Sequence, residues 1–171
     1  MGKNSNNYVI NFKGLEPGQY DYEFQVGDKF FESYGVQDFR KGDVKVKVEL
    51  LKESTMLVLN FDVEGSVELE CDRCLDLYDQ QVKGEFKLIV KFGEEAEELT
   101  DEIIVLPFES HQIDLSQFFY EYIALLLPMK HVHPDDEQGH STCNQEMIQR
   151  LESLTVKSDM RWDALKNIKF D

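Results

Sequence analysis

The chain has 171 residues, with 34 acidic and 18 basic side chains and a formal net charge of −16. That length suits one domain, or one domain with a tail, and an apolar content of 42% is sufficient for a packed core. The negative charge disfavours broad, non-specific binding to nucleic acid and favours a basic partner, although solubility alone would also explain it. No apolar run is long enough to cross a bilayer and no apolar signal segment follows Met1, so we expect a cytoplasmic protein without a membrane partner.

The first third of the chain contains segments in which apolar and polar residues alternate. This period of two is typical of strands that have one buried and one solvated face. It predicts strands at 8–12, 20–26 and 44–50. The intervening segment 29–39 fits either a helical turn or irregular packing.

The centre of the chain, residues 57–92, alternates in the same way on both sides of a short loop at 70–75, which we call the knuckle. Two long strands are therefore predicted to flank the knuckle. Gly65 interrupts the first of them and is expected to mark a bulge or bend, because an uninterrupted strand of fifteen residues would be unusually long.

After this hairpin, an acidic segment at 93–98 is predicted to be an exposed loop and 103–106 a short strand. A helix is predicted at 114–127, with Asp114 as its N-cap and Gln117 completing a capping box. Its broad apolar face should pack on the sheet.

The C-terminal part is predicted to contain a polar loop at 130–144, a short exposed helix at 145–154 and a tail anchored by Trp162. The fold class is α+β: a mainly antiparallel sheet curled into a partly closed barrel, one buried helix packed on it, and a helical or irregular C-terminal tail. Residues 1–130 form the β-rich core domain, and residues 131–171 either belong to it or follow it.

Three cysteines in a chain expected to be cytoplasmic argue against a disulfide framework. Cys71 and Cys74 in the knuckle, together with His133 and Cys143, form the Cys3His set that structural zinc sites use, with His131 and His140 as competing ligands. The alternative is that Cys71 is an ordinary small buried side chain and His133 a solvated loop residue.

Neither a serine-nucleophile motif nor a phosphate-binding glycine loop is present, so we assign no catalytic residues and predict that the protein is not an enzyme. The alternative is a metal-dependent or thiol redox enzyme that uses the two knuckle cysteines. Arg73 at the knuckle tip, and Lys45 and Lys47 on one strand face, are candidate contacts to RNA; the alternative is a solvated face balanced by glutamates. The acidic segment 94–102 is a further candidate for docking a basic protein.

Three motifs follow one another in this chain: the knuckle Glu70-Cys71-Asp72-Arg73-Cys74-Leu75, then the run from Ile113-Asp114-Leu115 through Glu121 to Leu126-Leu127-Pro128-Met129, then Cys143 beyond a histidine-bearing loop. As a set they resemble the YceD family of large ribosomal RNA subunit accumulation proteins. The tail at 159–165 also resembles the ending of many relatives.

This resemblance implies a cytoplasmic, non-enzymatic factor for the accumulation or assembly of large-subunit (23S) ribosomal RNA. Such a factor would bind precursor ribosomal RNA or a basic ribosomal protein. The resemblance singles out Cys71, Arg73, Cys74, Glu121 and Cys143 as the positions to test. Many relatives carry a second cysteine in the final loop, where His133 or His140 would take its place here.

Overall fold

The computed structural model describes residues 8–34 and 39–154, which form eight strands and three helices. The strands are β1 (Val9–Asn11), β2 (Gly18–Val26), β3 (Phe39–Lys52), β4 (Met56–Glu70), β5 (Leu77–Gly93), β6 (Glu97–Thr100), β7 (Ile103–Pro107) and β8 (Gln112–Asp114). The helices are α1 (Asp28–Tyr34), α2 (Ser116–Leu125) and α3 (Gln145–Leu154). None of these helices has the length and apolarity needed to span a membrane. The predicted tail around Trp162 lies outside the described residues.

Six of the strands form one sheet in the order β2-β3-β4-β5-β7-β6, and β1 pairs with β8 in a separate two-stranded ribbon. Neighbouring strands of the large sheet are antiparallel, except that β7 runs parallel to the end of β5. The α+β class and the mostly antiparallel sheet therefore agree with the sequence-based expectation.

The predicted barrel is wrong, because the sheet is open. A barrel requires its first and last strands to pair, whereas β2 and β6 are separate edges in the part of the chain that the structure describes. The part of the sheet beyond β5 is short, because β7 covers only residues 89–93 of β5 and β6 has four residues. Helix α2 packs across the inner face of the sheet, so the apolar side chains there are buried without closure.

The two long strands β4 and β5 pair without interruption from Met56 opposite Lys91 to Glu70 opposite Leu77. The predicted bulge at Gly65 is therefore wrong. A Cβ atom at Gly65 would lie 2.3 Å from the carbonyl oxygen of Asp43 in the neighbouring strand. Glycine is required there for close approach of β3, and the strand keeps its full length of 15 residues.

Aromatic side chains connect α2 to the inner face of the sheet. Phe61 on β4 contacts Phe119 and Tyr122, and Phe86 on β5 stacks on Tyr122 with ring centroids 4.3 Å apart and planes 3° apart. These contacts fix α2 across β4 and β5. One side of Tyr122 is therefore held firmly in the core.

The predicted capping box of α2 is also wrong. The side chain of Gln117 donates to Glu121 Oε1 at 2.8 Å instead of reaching back to the helix start. The Asp114 carboxylate does accept a backbone hydrogen bond, from the N–H of Ser116 at 2.9 Å. The helix thus begins two residues later than predicted, while the predicted exposed helix at 145–154 is found as α3.

Two further segments contain regular secondary structure that the sequence did not clearly predict. The segment 29–39, which fitted either a helical turn or irregular packing, contains most of α1, whose Phe30 and Phe31 are buried. The segment predicted to be an exposed loop at 93–98 overlaps β6, because pairing with β7 begins at Glu97. All four residues of β6 are exposed, so the prediction of exposure is correct and that of loop structure is only partly correct.

Candidate metal centre

The knuckle between β4 and β5 is a tight turn that buries two thiols. The backbone N–H of Cys71 donates to the carbonyl of Asp76 at 3.0 Å, and the N–H of Leu75 donates to the carbonyl of Cys71 at 2.9 Å. Leu75 has a φ of 63°, in the left-handed region that a non-glycine residue rarely adopts. Cys71 and Cys74 are 0% and 1% exposed, so this turn directs both thiols inward.

The C-terminal loop, residues 131–144, returns to the knuckle and is fixed at both of its ends. At the first end, the N–H of Asp72 donates to the carbonyl of His131, and the N–H of His131 donates to Asp72 Oδ2, both at 2.7 Å. At the other end, Asn144 Nδ2 donates to Asp76 Oδ2 at 3.1 Å. Asn144 Oδ1 also accepts hydrogen bonds from N–H groups in the first turn of α3, so the helix begins where the loop meets the knuckle.

The returning loop places His133 and Cys143 beside the two knuckle thiols. The candidate ligand atoms of Cys71, Cys74, His133 and Cys143 all lie within 4.8 Å of one another. The Sγ atoms of Cys71 and Cys143 are 3.8 Å apart, and His133 Nδ1 is 3.5 Å from Cys74 Sγ and 3.8 Å from Cys143 Sγ. All three cysteines are free thiols, and 3.8 Å is far longer than a disulfide bond.

Three of the six distances among the four ligand atoms match the edges of a tetrahedral zinc site. Zinc–sulfur bonds of about 2.3 Å give sulfur–sulfur edges of about 3.8 Å, and a zinc–nitrogen bond of about 2.0–2.1 Å gives sulfur–nitrogen edges of about 3.6 Å. The distances Cys71 Sγ–Cys143 Sγ, Cys74 Sγ–His133 Nδ1 and Cys143 Sγ–His133 Nδ1 lie within a few tenths of an ångström of those edges. The cluster therefore has the donors and the size that could hold a zinc ion.

The environment of the cluster favours one thiolate. Burial opposes ionisation of Cys71, but hydrogen bonds from the backbone N–H groups of Cys74 and Arg73 and from His133 outweigh it and lower the pKa of Cys71 to about 6. For Cys74, burial dominates, and the neighbouring Cys71 and Cys143 add to it, so its pKa is raised. A thiolate is the form that binds metal, and a bound cation would favour ionisation of the other thiols.

The two competing histidines are not part of this cluster. His131 contributes backbone hydrogen bonds to the knuckle. The side chain of His140 is 77% exposed, and its Nδ1 lies 3.4 Å from Asp136 Oδ2. The ring of His133, by contrast, packs against Tyr78 with centroids 4.9 Å apart, which orients its Nδ1 toward the thiols.

The other predicted site residues are spread over the molecule. Arg73 is exposed at the knuckle tip, and Lys45 Nζ lies 2.7 Å from Glu23 Oε1. Lys47 and Glu121 both line one cleft.

This acidic cleft, which the sequence pattern does not predict, has a volume of about 1370 Å³. Its lining includes nine carboxylates and two lysines from β2, β3, β4, β5, α2 and the segment around β6. The carboxylates are Asp21, Glu23, Glu49, Asp62, Glu85, Glu98, Asp101, Glu102 and Glu121, and the lysines are Lys47 and Lys87. Five of the acidic residues lie on four strands, two on β2 and one each on β3, β4 and β5, so the strand register determines which of them are neighbours.

Comparison with known proteins identifies one family. A family model described as "Large ribosomal RNA subunit accumulation protein YceD" matches residues 59–169, more than half of the chain. The matched region contains the four-residue cluster, the exposed Arg73 and helix α2. Searches of curated proteins and of solved structures gave no significant match.

Proposed function

The chain belongs to the YceD family of large ribosomal RNA subunit accumulation proteins, and from this membership we propose that it is a non-enzymatic, cytoplasmic factor in large-subunit assembly. The family name implies a role in the accumulation of large-subunit ribosomal RNA. On our proposal the protein acts by binding precursor ribosomal RNA or a basic ribosomal protein. The observation that carries the proposal is the family match over residues 59–169.

We further propose that Cys71, Cys74, His133 and Cys143 bind one structural zinc ion. Four protein donors fill a tetrahedral zinc shell and leave no position for water or substrate, which is the arrangement of structural rather than catalytic sites. The burial of all three thiols supports the same assignment. The ion would fasten the C-terminal loop to the knuckle, so that this loop and the β-rich core act as one unit.

This role of the metal would also order the surface around the knuckle. Arg73 lies between the two knuckle cysteines in sequence, and its side chain is exposed. A rigid knuckle would hold this guanidinium in a fixed position for a partner. Arg73, Lys45, Lys47 and Glu121 remain our proposed partner contacts.

The proposal is tested by depleting the protein from cells and measuring precursor and mature ribosomal RNA. We expect the ratio of large-subunit to small-subunit RNA to fall. Wild-type protein and the variant His140→Asn should restore the ratio, because His140 lies in the same loop but outside the cluster. Cys74→Ser should restore it poorly. An unchanged ratio after depletion would refute the assembly role.

One observation favours a second candidate, a thiol or metal-dependent enzyme that uses the knuckle: the pKa of Cys71 is lowered to about 6. A thiol with that pKa is mostly ionised at neutral pH and is a competent nucleophile when a substrate can reach it. Alkylation by iodoacetamide distinguishes the candidates. The structural role predicts that zinc-loaded protein resists alkylation, whereas rapid modification of Cys71 in zinc-loaded protein would favour the enzyme.

A further inference from the structure

The walls of the acidic cleft bring like charges together across the sheet. Asp21 on β2 pairs directly with Glu49 on β3, and Asp62 on β4 pairs directly with Glu85 on β5. Like charges in directly opposed positions destabilise a sheet. Lys47 lies directly opposite Glu23 and Asp62, and Lys45 is ion-paired with Glu23, so these strand carboxylates are partly neutralised. The remaining negative charge of the lining includes Glu98, Asp101, Glu102 and Glu121, from α2 and the segment around β6.

A second, independent feature of the cleft is Tyr122, which lines it from α2. This residue is 5% exposed, and its hydroxyl has no hydrogen-bond partner among the described residues. A buried hydroxyl without a partner costs about 1–3 kcal/mol, so the folded chain alone leaves this group unsatisfied. Burial, with the charges of Glu121 and Glu102 added, raises the pKa of Tyr122 to about 12, so the hydroxyl stays protonated.

We propose that the acidic cleft binds an arginine- or lysine-rich segment of a basic protein, with Glu102, Glu121 and the hydroxyl of Tyr122 among its contacts. This inference rests on the proposed function and makes it more specific, because it selects a basic protein over RNA as the occupant of the cleft. Carboxylates accept paired hydrogen bonds from guanidinium groups, and the tyrosine hydroxyl offers a further acceptor beside them.

The shape and apolar lining of the cleft suit long basic side chains. Leu125 lines the cleft and is 72% exposed, and the partly buried Phe86 also belongs to its lining. Arginine and lysine carry aliphatic stems that pack on such apolar surface while their charged ends reach carboxylates. An RNA strand has no comparable fit, because its phosphates would meet a lining in which carboxylates outnumber lysines by nine to two.

Fluorescence anisotropy of purified full-length protein tests this inference with two labelled probes, a twelve-residue peptide of alternating arginine and glycine and a twelve-nucleotide single-stranded RNA. We expect the peptide to bind, with affinity falling as salt increases. The double variant Glu102→Gln/Glu121→Gln should weaken binding about tenfold. The control Glu53→Gln/Glu109→Gln removes the same charge at exposed positions outside the cleft and should change binding less than about twofold.

The variant Tyr122→Phe separates binding from folding. Since the hydroxyl has no partner in the free protein, its removal should leave the melting temperature unchanged or raise it slightly. Peptide binding should weaken about threefold to tenfold, because the complex loses one hydrogen bond. Unchanged peptide affinity in Tyr122→Phe would overturn the role of this hydroxyl.

Three results would overturn the cleft proposal: no peptide binding, equal loss in the cleft and control double variants, or tighter binding of RNA than of peptide. These failures are distinguishable from failure of the assembly role. Absent peptide binding together with reduced large-subunit RNA on depletion removes the cleft proposal alone. Cleft-dependent peptide binding together with unchanged RNA on depletion supports the cleft and removes the assembly role.

Discussion

The substitution Cys143→Ser provides the sharpest test of the proposal that a zinc ion holds the C-terminal loop to the knuckle. Cys143 is 3% exposed, and its Sγ lies 3.8 Å from both Cys71 Sγ and His133 Nδ1. The substitution removes one of four proposed zinc ligands while preserving the size of the side chain. Any ligand that binds only the folded state stabilises it, and the stabilisation is about 4 kcal/mol when free zinc exceeds its dissociation constant about 1,000-fold.

That free energy converts to a measurable change in melting temperature. For a chain of this size, 1 kcal/mol corresponds to about 2–4 °C, so removing zinc from the wild type should lower the melting temperature by about 8–16 °C. In Cys143→Ser the buried hydroxyl adds a cost of about 1–3 kcal/mol that is independent of metal. The variant should therefore melt at a lower temperature than the wild type whether or not a chelator is present.

Differential scanning fluorimetry with and without a chelator separates these two effects. We expect a large chelator-induced decrease for the wild type, reversal when zinc is restored, and little response in Cys143→Ser. His140→Asn is the matched control, because it removes an exposed histidine of the same loop that lies outside the cluster, and it should respond as the wild type does. The proposal would be refuted if the chelator left the melting temperature of the wild type unchanged. It would also be refuted if the chelator lowered the melting temperature of Cys143→Ser as much as that of the wild type.

Two further predictions concern the backbone of the sheet and knuckle. Gly65→Ala should destabilise the protein by about 3 kcal/mol or more, since its Cβ would lie 2.3 Å from a backbone carbonyl that the pairing of β3 holds in place. Gly84→Ala should lower the free energy of unfolding by less, about 1–2 kcal/mol, because the conflicting atom at 2.4 Å is the end of the flexible Leu126 side chain. Equal losses for the two variants in urea denaturation would contradict this contrast. Leu75→Gly should stabilise the protein by about 1 kcal/mol by relieving the positive φ of a largely exposed residue, and a lower urea midpoint would contradict that expectation.

The period-two pattern was sufficient to predict the main strands and the position of the knuckle, because burial of one sheet face requires an apolar residue at about every second position. That pattern says which residues share a face, but not whether the sheet's edges meet. The parallel pairing of β7 with β5 leaves no comparable signal, so the barrel was predicted where the sheet is open. The bulge at Gly65 was predicted wrongly for a related reason. A glycine within a strand is compatible with a bulge or with close approach of another backbone, and only the position of the neighbouring strand distinguishes the two.

The chemical character of the cluster was visible in the sequence, because three cysteines and a histidine are zinc donors wherever they lie. Their proximity was not, since it depends on the backbone hydrogen bonds between Asp72 and His131 that return the loop to the knuckle. The acidic cleft was missed because its charges look like ordinary outward-facing residues of separate strands. Only the register shows that Asp62 faces Glu85.

Zinc K-edge X-ray absorption spectroscopy on the purified protein tests the proposed centre most directly, since it reports the ligand atoms and their distances. We predict one zinc ion per chain, surrounded by three sulfur atoms at about 2.3 Å and one nitrogen atom at about 2.0–2.1 Å. Purified protein that contains no zinc and binds none when zinc is added, or a spectrum dominated by oxygen ligands, would contradict the proposed Cys3His centre.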